Sequence, residues 1–421
     1  MKLKRFFMVI IVLAILMSGC TKGGSRYASK KARTEEKSLF SITEYKEKLY
    51  GERTDIKGYD KTYPEEVKSV KNGTSKKVNF EKCDFADFPD TEEASVLRLY
   101  SDGISVDESI RVIKERLKKI GQGDLDLEKE LRDDSGQLAP DETKETPYYY
   151  PSVYEHKEKL KSGKGFMVNT NRCHIQMGED GIYSMSDGTI TKYLGLNTLA
   201  EHDSIGMNQE NIVEQGTFGE MSGKSYELLS GKVSVLEASR IVNRFFEQGT
   251  PYPMEKDISI DIPRVEVFQL RDKYGYTFHM RRRFKNIPFS WISGAESRSG
   301  SEILDYLNED FKQAYVVDNE SVCAFAGYNE AEKIDIEEKQ TKIICLKKAV
   351  EILEEKLAAH LRADIAEASF VYLPVLYSEE PQTEFAFPCW RFVGKDVSNG
   401  QKLCILLDAL TGEITYYNFE D

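Results

Sequence analysis

The sequence KVSVLEASRIVNRFF (residues 232–246) joins a short β-type stretch to an amphipathic helix, and the same pattern occurs at two other places in the chain. The other copies are GISVDESIRVIKERL (residues 103–117) and IICLKKAVEILEEKL (residues 343–357). When the copies are aligned, their apolar residues recur at helical spacing: Val112, Ile241 and Ile352; Ile113, Val242 and Leu353; Leu117, Phe246 and Leu357. The repeats therefore predict three helices, each with one apolar stripe.

The start of each predicted helix differs between the copies. In the first two copies a Ser stands three residues before a Glu, as Ser234 and Glu237 do. This S-x-x-E pattern is a capping box, which satisfies free amides at the helix start. Cys345 and Lys348 occupy the same places in the third copy, so we expect a weaker or different cap there.

Strand-like segments follow each predicted helix. One helix followed by a meander of three or four strands predicts an α+β unit, in which the helix covers one face of a small antiparallel sheet. The chain would then be a tandem of such units. In the second and third copies these segments are residues 265–270, 274–283, 314–317 and 321–325, and residues 370–376, 385–393, 403–407 and 414–417.

Turn residues separate the last strands of these units. Asp318 and Asp408 begin such turns, where an Asp carboxylate can accept backbone amides. Gly412 lies in the second turn and can take the positive φ that a tight hairpin requires. We therefore interpret Asp318, Asp408 and Gly412 as structural turn residues.

The C-terminal stretches PCWRF (residues 388–392) and LLDALTGEI (residues 406–414) resemble the closing hairpin of the PepSY domain, with its pattern W…D-A-x-T-G-E-I. The second unit shares Val317 and Asp318 with that pattern but lacks the Gly. The resemblance implies PepSY-like α+β units, and it brings no catalytic residue. The chain is also similar to the YycH and YycI type of extracytoplasmic regulator, whose members carry related domains and restrain a sensor kinase.

The N-terminus sets the expected compartment. Three basic residues precede an apolar run of eleven residues, 6–16, which is too short to span a bilayer and is typical of a signal peptide. The following Met17-Ser-Gly-Cys20 resembles the lipobox of bacterial lipoproteins, which implies cleavage before Cys20 and its lipidation. The alternative is an ordinary secretory signal with a chance cysteine. We expect an extracytoplasmic lipoprotein anchored to the outer face of the cell membrane.

The repeats and the signal divide the chain into five predicted regions. These are a signal peptide (1–19), a lipid-anchored tether (20–60), a first α+β unit with insertions (61–215), a second PepSY-like unit (216–335) and a third PepSY-like unit (336–421). The length of 421 residues is consistent with this number, since a domain usually takes about 100–200 residues.

Composition excludes several classes of protein. There are 58 basic and 71 acidic residues, which give a formal net charge of −13 and disfavour nucleic acid as a partner. A mean hydropathy of −0.49 excludes a multi-span membrane protein. The five histidines have no HExxH or HxH spacing, so the sequence predicts no metal site and no cofactor.

Six cysteines remain after Cys20, in no CxxC or regular framework. Most are flanked by apolar residues, which favours buried free thiols over disulfides. Cys389 and Cys404 are the one pair that adjacent strands could bring together.

The segment HMRRR (residues 279–283) is the strongest positive cluster in this acidic chain. In a strand, His279, Arg281 and Arg283 would share one face. Such a face can bind a carboxylate, a sulfated or phosphorylated glycan, or an acidic partner through forked Arg contacts. The alternative is a solvated face balanced by nearby acids.

A run of aromatic residues is the second candidate for binding. Tyr148, Tyr149 and Tyr150 lie between two prolines, and exposed Tyr rings can stack on sugars or anchor a protein partner. A loop that packs its rings on the first domain is an equally good interpretation.

The absence of any catalytic motif favours a non-enzymatic protein. The leading hypothesis is a lipid-anchored protein that binds a protein or peptide at the cell envelope in a regulatory or inhibitory role. One alternative is a lipoprotein that binds a cell-wall glycan or a small ligand. The other is an envelope hydrolase whose site is assembled from scattered acids.

Overall fold

The computed structural model describes most of the chain from residue 42 to residue 419. The described ranges are 42–73, 75–101, 111, 114–115, 117–118, 123–124, 131–133, 166–169, 174–177, 183–187, 189–190, 211–248, 257–290, 312–327, 332–357, 361–375 and 383–419. Within these ranges no helix is long and apolar enough to cross a membrane.

The described residues form an α+β fold. The helices are α1 (Ile42–Glu47), α2 (Tyr59–Lys71), α3 (Phe218–Met221), α4 (Val235–Gln248) and α5 (Leu346–Lys356). The strands are β1 (Thr54–Asp55), β2 (Val78–Asn79), β3 (Asp84–Phe85), β4 (Val96–Ser101), β5 (Leu131–Asp133), β6 (Phe166–Asn169), β7 (His174–Met177), β8 (Tyr183–Ser186), β9 (Ile212–Thr217), β10 (Ser225–Leu228), β11 (Gly231–Ser234), β12 (Ile258–Leu270), β13 (Lys273–Phe284), β14 (Ile287–Pro288), β15 (Lys312–Val316), β16 (Ala324–Gly327), β17 (Glu332–Glu338), β18 (Lys342–Ile343), β19 (Ala363–Val375), β20 (Thr383–Asp396), β21 (Lys402–Asp408) and β22 (Ile414–Phe419).

Two of the three predicted helices are present as α4 and α5, directly after the short strands β11 and β18. The helix predicted over residues 103–117 lies largely outside the described residues. The capping box of α4 is confirmed, because the Glu237 amide donates to Ser234 Oγ (3.1 Å) and the Ser234 amide donates to Glu237 Oε2 (2.8 Å).

The cap of α5 comes from another helix. Cys345 makes no side-chain cap, as its residue type suggests. Instead, the Leu346 amide donates to Tyr59 Oη (2.8 Å) and the Lys347 amide donates to Glu66 Oε2 (3.0 Å). Since Tyr59 and Glu66 both lie on α2, the first free amides of α5 are satisfied by tertiary contacts.

The first sheet has ten strands in the order β5-β6-β7-β8-β16-β15-β13-β12-β9, with β14 beside β13. Every described pair in it is antiparallel. Alternate residues of its central strands are apolar and pack with α4 in one core: Ala238, Ile241, Val242 and Phe245 of the helix with Val265, Val267, Tyr276, Phe278, Met280, Ala314 and Val316 of the sheet.

The second sheet has eight strands and centres on the long pair β19–β20. Strand β20 pairs with β4 along its first half and with β21 along its second half, and β22 follows β21. Trp390 lies fully buried in the core of this sheet, and its Nε1 donates to the Ile344 carbonyl (2.8 Å) just before α5.

Residues 42–101 contribute three strands to this second sheet, which was not expected from the sequence. Strands β2 and β3 pair in parallel with β19, and β4 lies between β17 and β20. Ile56 and Tyr59, which fall in the predicted tether, are buried in the same core. The boundaries drawn above stay predictions, but buried residues from 56–99 and from 343–410 share one core.

Five cysteines lie in the part of the chain that the structure describes and form no disulfide there: Cys83, Cys323, Cys345, Cys389 and Cys404. Cys389 lies opposite Asp408, whereas Cys404 lies opposite Val393. The two thiols are thus offset by four residues, or roughly 13 Å along the strand. A disulfide needs Cα atoms within about 7 Å, so the pair suggested above does not form a bridge here.

Candidate functional site

The positive cluster lies on β13, in the middle of the first sheet. The cross-strand partners of His279 and Arg281 are Arg264 and Asp261 on β12, and Arg283 is opposite Ser259. Alternation along the strand places the three predicted residues on one face, opposite the face that packs on α4. The other predicted binding residues, Tyr148, Tyr149 and Tyr150, and the lipidation residue Cys20 lie outside the described residues.

His279 is buried, with 4% of its surface exposed, and does not face solvent. Its Nε2 lies 3.1 Å from Glu266 Oε2, and Arg264 Nη2 lies 2.8 Å from Glu266 Oε1. Burial alone would raise the pKa of Glu266, but the His279 contact and the Arg264 charge hold it below its usual value. His279 therefore contributes to a polar network inside the sheet rather than to a surface.

Arg281 and Arg283 share one carboxylate. Arg281 Nε donates to Asp261 Oδ2 (2.8 Å), and Arg283 Nη2 donates to Asp261 Oδ1 (2.5 Å). Burial lowers the pKa of Arg281, and the nearby charges of Arg391 and Arg283 lower it further, whereas Asp261 opposes the change. Arg283 is the more accessible of the two, since 39% of its side chain is exposed against 15% for Arg281.

An open cleft of about 990 Å³ lies where the two sheets meet. It is lined by Asp55, Lys57, Asp90, Thr91, Glu92, Glu93, Asp257, Ile258, Ser259, Lys285, Asn286, Lys339 and Thr341. Ser259 connects the cleft to the arginine pair, because residues opposite each other in an antiparallel sheet have Cβ atoms about 5 Å apart and Ser259 is opposite Arg283. Arg283 therefore lies beside the cleft, across the strand pair from Ser259.

Glu93 holds the inner wall of the cleft together. Its side chain is only 9% exposed and contacts two ammonium groups, that of Lys285 and that of Lys339 (Nζ–Oε2, 2.5 Å). Burial would raise the pKa of Glu93, but these two hydrogen-bonded ammonium groups lower it below its usual value. Glu93 is therefore an ionised anchor for two lysines.

The hairpin turn between β13 and β14 carries Lys285 into the cleft. Lys285 and Asn286 both have positive φ, 46° and 69°, as in the two-residue turns whose twist matches a β-hairpin. Asn286 Nδ2 donates to the Asp90 carbonyl (2.8 Å). This turn thus ties the first sheet to the segment that leads into β4 of the second sheet.

The predicted turn residues occupy hairpin turns. Asp408 accepts the amides of Leu410 (2.8 Å) and Thr411 (3.0 Å) on Oδ1, and Gly412 has a φ of 69°. Asp318 similarly accepts the Glu320 amide (2.8 Å). These contacts are local and structural.

Asp408 also has a distant partner. Tyr45 Oη on α1 lies 2.8 Å from Asp408 Oδ2 and 3.0 Å from Oδ1. Burial raises the pKa of Asp408 to about 6, although the amide and Tyr45 hydrogen bonds work against that rise. The start of the described chain is thereby fixed to the C-terminal hairpin.

The site residues that sequence reasoning missed are the carboxylates that organise the cations. Asp261 could have been found by pairing β12 with β13 across the turn near Arg271, which has a positive φ of 51°. No local signal marks Glu93, since its partner Lys285 is 192 residues away. Among the described residues, no group of three His, Cys, Asp or Glu side chains is placed to bind a metal ion.

No family model and no curated protein matches the sequence. Two solved structures are similar to the chain at low identity. An uncharacterized protein from Eubacterium rectale has 12% identity and a TM-score of 0.46 over 86% of this chain and 99% of its own. The YpeB C-terminal domain of Bacillus megaterium has 10% identity and a TM-score of 0.29 over 76% of this chain and 99% of its own.

Proposed function

We propose that the chain is a lipid-anchored extracytoplasmic protein that binds a protein or peptide at the cell envelope without catalysis, in a regulatory or inhibitory role. In this proposal the acyl chains on Cys20 hold it at the outer face of the cell membrane. The open charged cleft at the junction of the sheets is the observation that carries the proposal.

The walls of the cleft are supported from both sheets. Glu93 precedes β4 of the second sheet, and its ion pair with Lys285 reaches the first sheet. A site held by rigid elements is preorganised, which lowers the cost of binding. The cleft is therefore suited to recognition by a fixed surface.

The chemistry of the rim favours a protein partner. Lys57 and Glu92 are exposed there and lie 2.9 Å apart. Polar rims with both charges are typical of protein interfaces, whereas small-molecule sites are concave and mostly apolar. A polyanion such as nucleic acid would meet the carboxylates of Asp55 and Glu92, which are 72% and 74% exposed.

PepSY-like units are part of the same proposal. In support, α4 is followed in the chain by the antiparallel strands β12, β13 and β15, and it packs against them. Helix α5 is followed by β19, β20 and β21, which share its core. A tandem of two such units would place the cleft at their junction.

Site-specific photocrosslinking in intact cells tests the proposed function. A photoreactive residue at position 57 is compared with one at Val397, which is 58% exposed on the hairpin between β20 and β21. We expect position 57 to capture a discrete envelope protein that position 397 does not. Capture of glycan alone would favour the glycan-binding alternative, and identical products at both positions would contradict the proposal.

A further inference from the structure

Four cations surround two carboxylates along one end of β13 and the adjoining turn. Arg281 and Arg283 share Asp261, while Lys285 and Lys339 share Glu93. Each group therefore carries one more positive than negative charge. This local excess is unexpected in a chain with a net charge of −13.

We infer that Arg283, supported by Arg281 and Lys285, binds a carboxylate on an acidic segment of the partner. This inference rests on the proposed function, because it names the chemistry that the cleft would recognise. Guanidinium groups recognise carboxylates through parallel N–H···O bonds, and such charge-assisted bonds are stronger than neutral ones.

Arg283 is the group placed to make the contact. Its Nη2 donates to Asp261, and its side chain remains 39% exposed, against 15% for that of Arg281. Ser259, on the opposite strand, lines the cleft, so an extended segment lying there would pass Arg283. Arg281 is too enclosed for direct contact and instead adds to the positive potential.

The lining of the cleft has five acidic and three basic side chains, so the positive excess is confined to the groups around Asp261 and Glu93. Glu92 is paired with Lys57 at 2.9 Å, and Asp55 lies 3.9 Å from Lys342. The exposed charges of Asp90 and Asp257 also line the cleft and would oppose an anion near them. The carboxylate of the partner would therefore have to contact Arg283 directly, where a charge-assisted hydrogen bond can outweigh this repulsion.

Asp261 already occupies part of the arginine fork. A carboxylate from the partner would therefore compete with Asp261 for Arg283. Removing the charge of Asp261 should strengthen binding, and removing the charge of Arg283 should weaken it. Loss of folding cannot produce these two opposite effects, so the pair of variants separates recognition from stability.

Fluorescence anisotropy with the full chain in detergent micelles tests the inference. The probes are a labelled Gly-Glu-Ser-Glu-Gly peptide, its Gln-for-Glu twin, and inorganic phosphate as a competitor. The matched control is Arg98, which forms a cross-strand pair with Asp335 (Nη2–Oδ2, 3.3 Å) on β4 and β17. The control variants are Arg98→Gln and Asp335→Asn.

We expect saturable binding of the Glu peptide and at least tenfold weaker binding of its Gln twin. Arg283→Gln should weaken binding by about tenfold, as expected for the loss of one charge-assisted hydrogen bond. Asp261→Asn should strengthen it by about threefold or more, and both control variants should bind as the unmodified chain does.

Equal binding of the two peptides, equal effects of Arg283→Gln and Arg98→Gln, or weaker binding by Asp261→Asn would overturn the inference. Binding of phosphate without binding of the Glu peptide would overturn it as well, because it would indicate a site for small anions. If the Glu peptide does not bind while position 57 still captures an envelope protein, the carboxylate inference is wrong and the proposed function stands.

Discussion

Glu93 and Lys285, which are 192 residues apart in the chain, form an ion pair that joins the two sheets. Glu93 is nearly buried, and Lys339 contacts its other carboxylate oxygen. Removing the carboxylate would leave the ammonium groups of Lys285 and Lys339 close together without the negative charge between them. Although the side chains of Lys285 and Lys339 are 28% and 64% exposed, the carboxylate itself is nearly buried, so its loss should cost more than the loss of a surface pair.

We expect Glu93→Gln to lower the free energy of unfolding by about 1–3 kcal/mol, measured by urea denaturation at pH 7. The control is Glu92→Gln, since the Glu92–Lys57 pair is exposed on both sides and should contribute little to stability. Equal losses for the two variants would contradict the anchoring role of Glu93.

The Tyr45–Asp408 contact predicts a pH-dependent stability. The pKa of Asp408 is raised from 3.8 to about 6, so the folded chain holds this proton more tightly than the unfolded chain does. Its contribution to stability is therefore full below pH 3.8 and is lost as the pH rises through about 6. Tyr45 limits that loss by donating to the ionised carboxylate.

Tyr45→Phe should consequently destabilise the protein by about 1–2 kcal/mol at pH 8 and by clearly less at pH 5. Tyr50→Phe serves as the control, because Lys348 Nζ lies 5.8 Å from the centroid of the Tyr50 ring. A contact of this kind depends on the ring and not on the hydroxyl. Unfolding curves at both pH values measure the difference, and a pH-independent loss for Tyr45→Phe would rule out the coupling.

The hydrogen bond from the Leu346 amide to Tyr59 Oη predicts that a substitution at Tyr59 weakens the protection of this one amide. Tyr59→Phe removes the acceptor of the Leu346 amide and the donor to Glu66 (2.8 Å). Leaving a buried amide without a partner costs about 1–3 kcal/mol. Hydrogen exchange should show faster exchange of the Leu346 amide in this variant.

Ser234→Ala is the matched control for that cap, since it removes the capping box of α4 and should cost about 1 kcal/mol there. It should leave the exchange of the Leu346 amide unchanged. If both substitutions accelerate that amide equally, the effect is global and the cap on α5 has no separate role.

The predicted lipidation of Cys20 implies that Cys20→Ser releases the chain from the membrane. Without a lipidated cysteine the chain would lose its anchor and move from the membrane fraction to the soluble extracytoplasmic fraction. Cys345→Ser, at a half-buried thiol beside α5, should leave the fractionation unchanged. Retention of the Cys20→Ser chain in washed membranes would contradict the lipoprotein prediction.

Local patterns in the sequence were sufficient for the helices and for part of the site. The apolar stripes predicted α4 and α5, and strand alternation predicted the shared face of Arg281 and Arg283. Their partner Asp261 is placed by the register of β12 against β13, which a bulge between Asp261 and Arg264 shifts. Such a shift changes which side chains meet, and it has no reliable local pattern.

No local pattern in residues 42–101 indicates that they contribute strands to the second sheet. Strands β2 and β3 have two residues each, too few to show alternation. Their pairing depends on the edge of β19, about 280 residues later in the chain. The residue types at Cys345 and Lys348 predicted only a weaker or different cap, and they did not indicate that α2 would supply it.

The core of the second sheet joins residues 56–99 to residues 343–410, and this separation along the chain affects the order of folding. During synthesis β4 is made long before its neighbours β17 and β20. Both of its edges therefore stay unpaired while more than half of the chain is still to be made. The second sheet can close only when the last strands arrive. A chain that stops before β19 would lack Trp390 and the strands that β2 and β3 pair with, so we expect the core of the second sheet to form later in synthesis than the separate core of α4 and the first sheet.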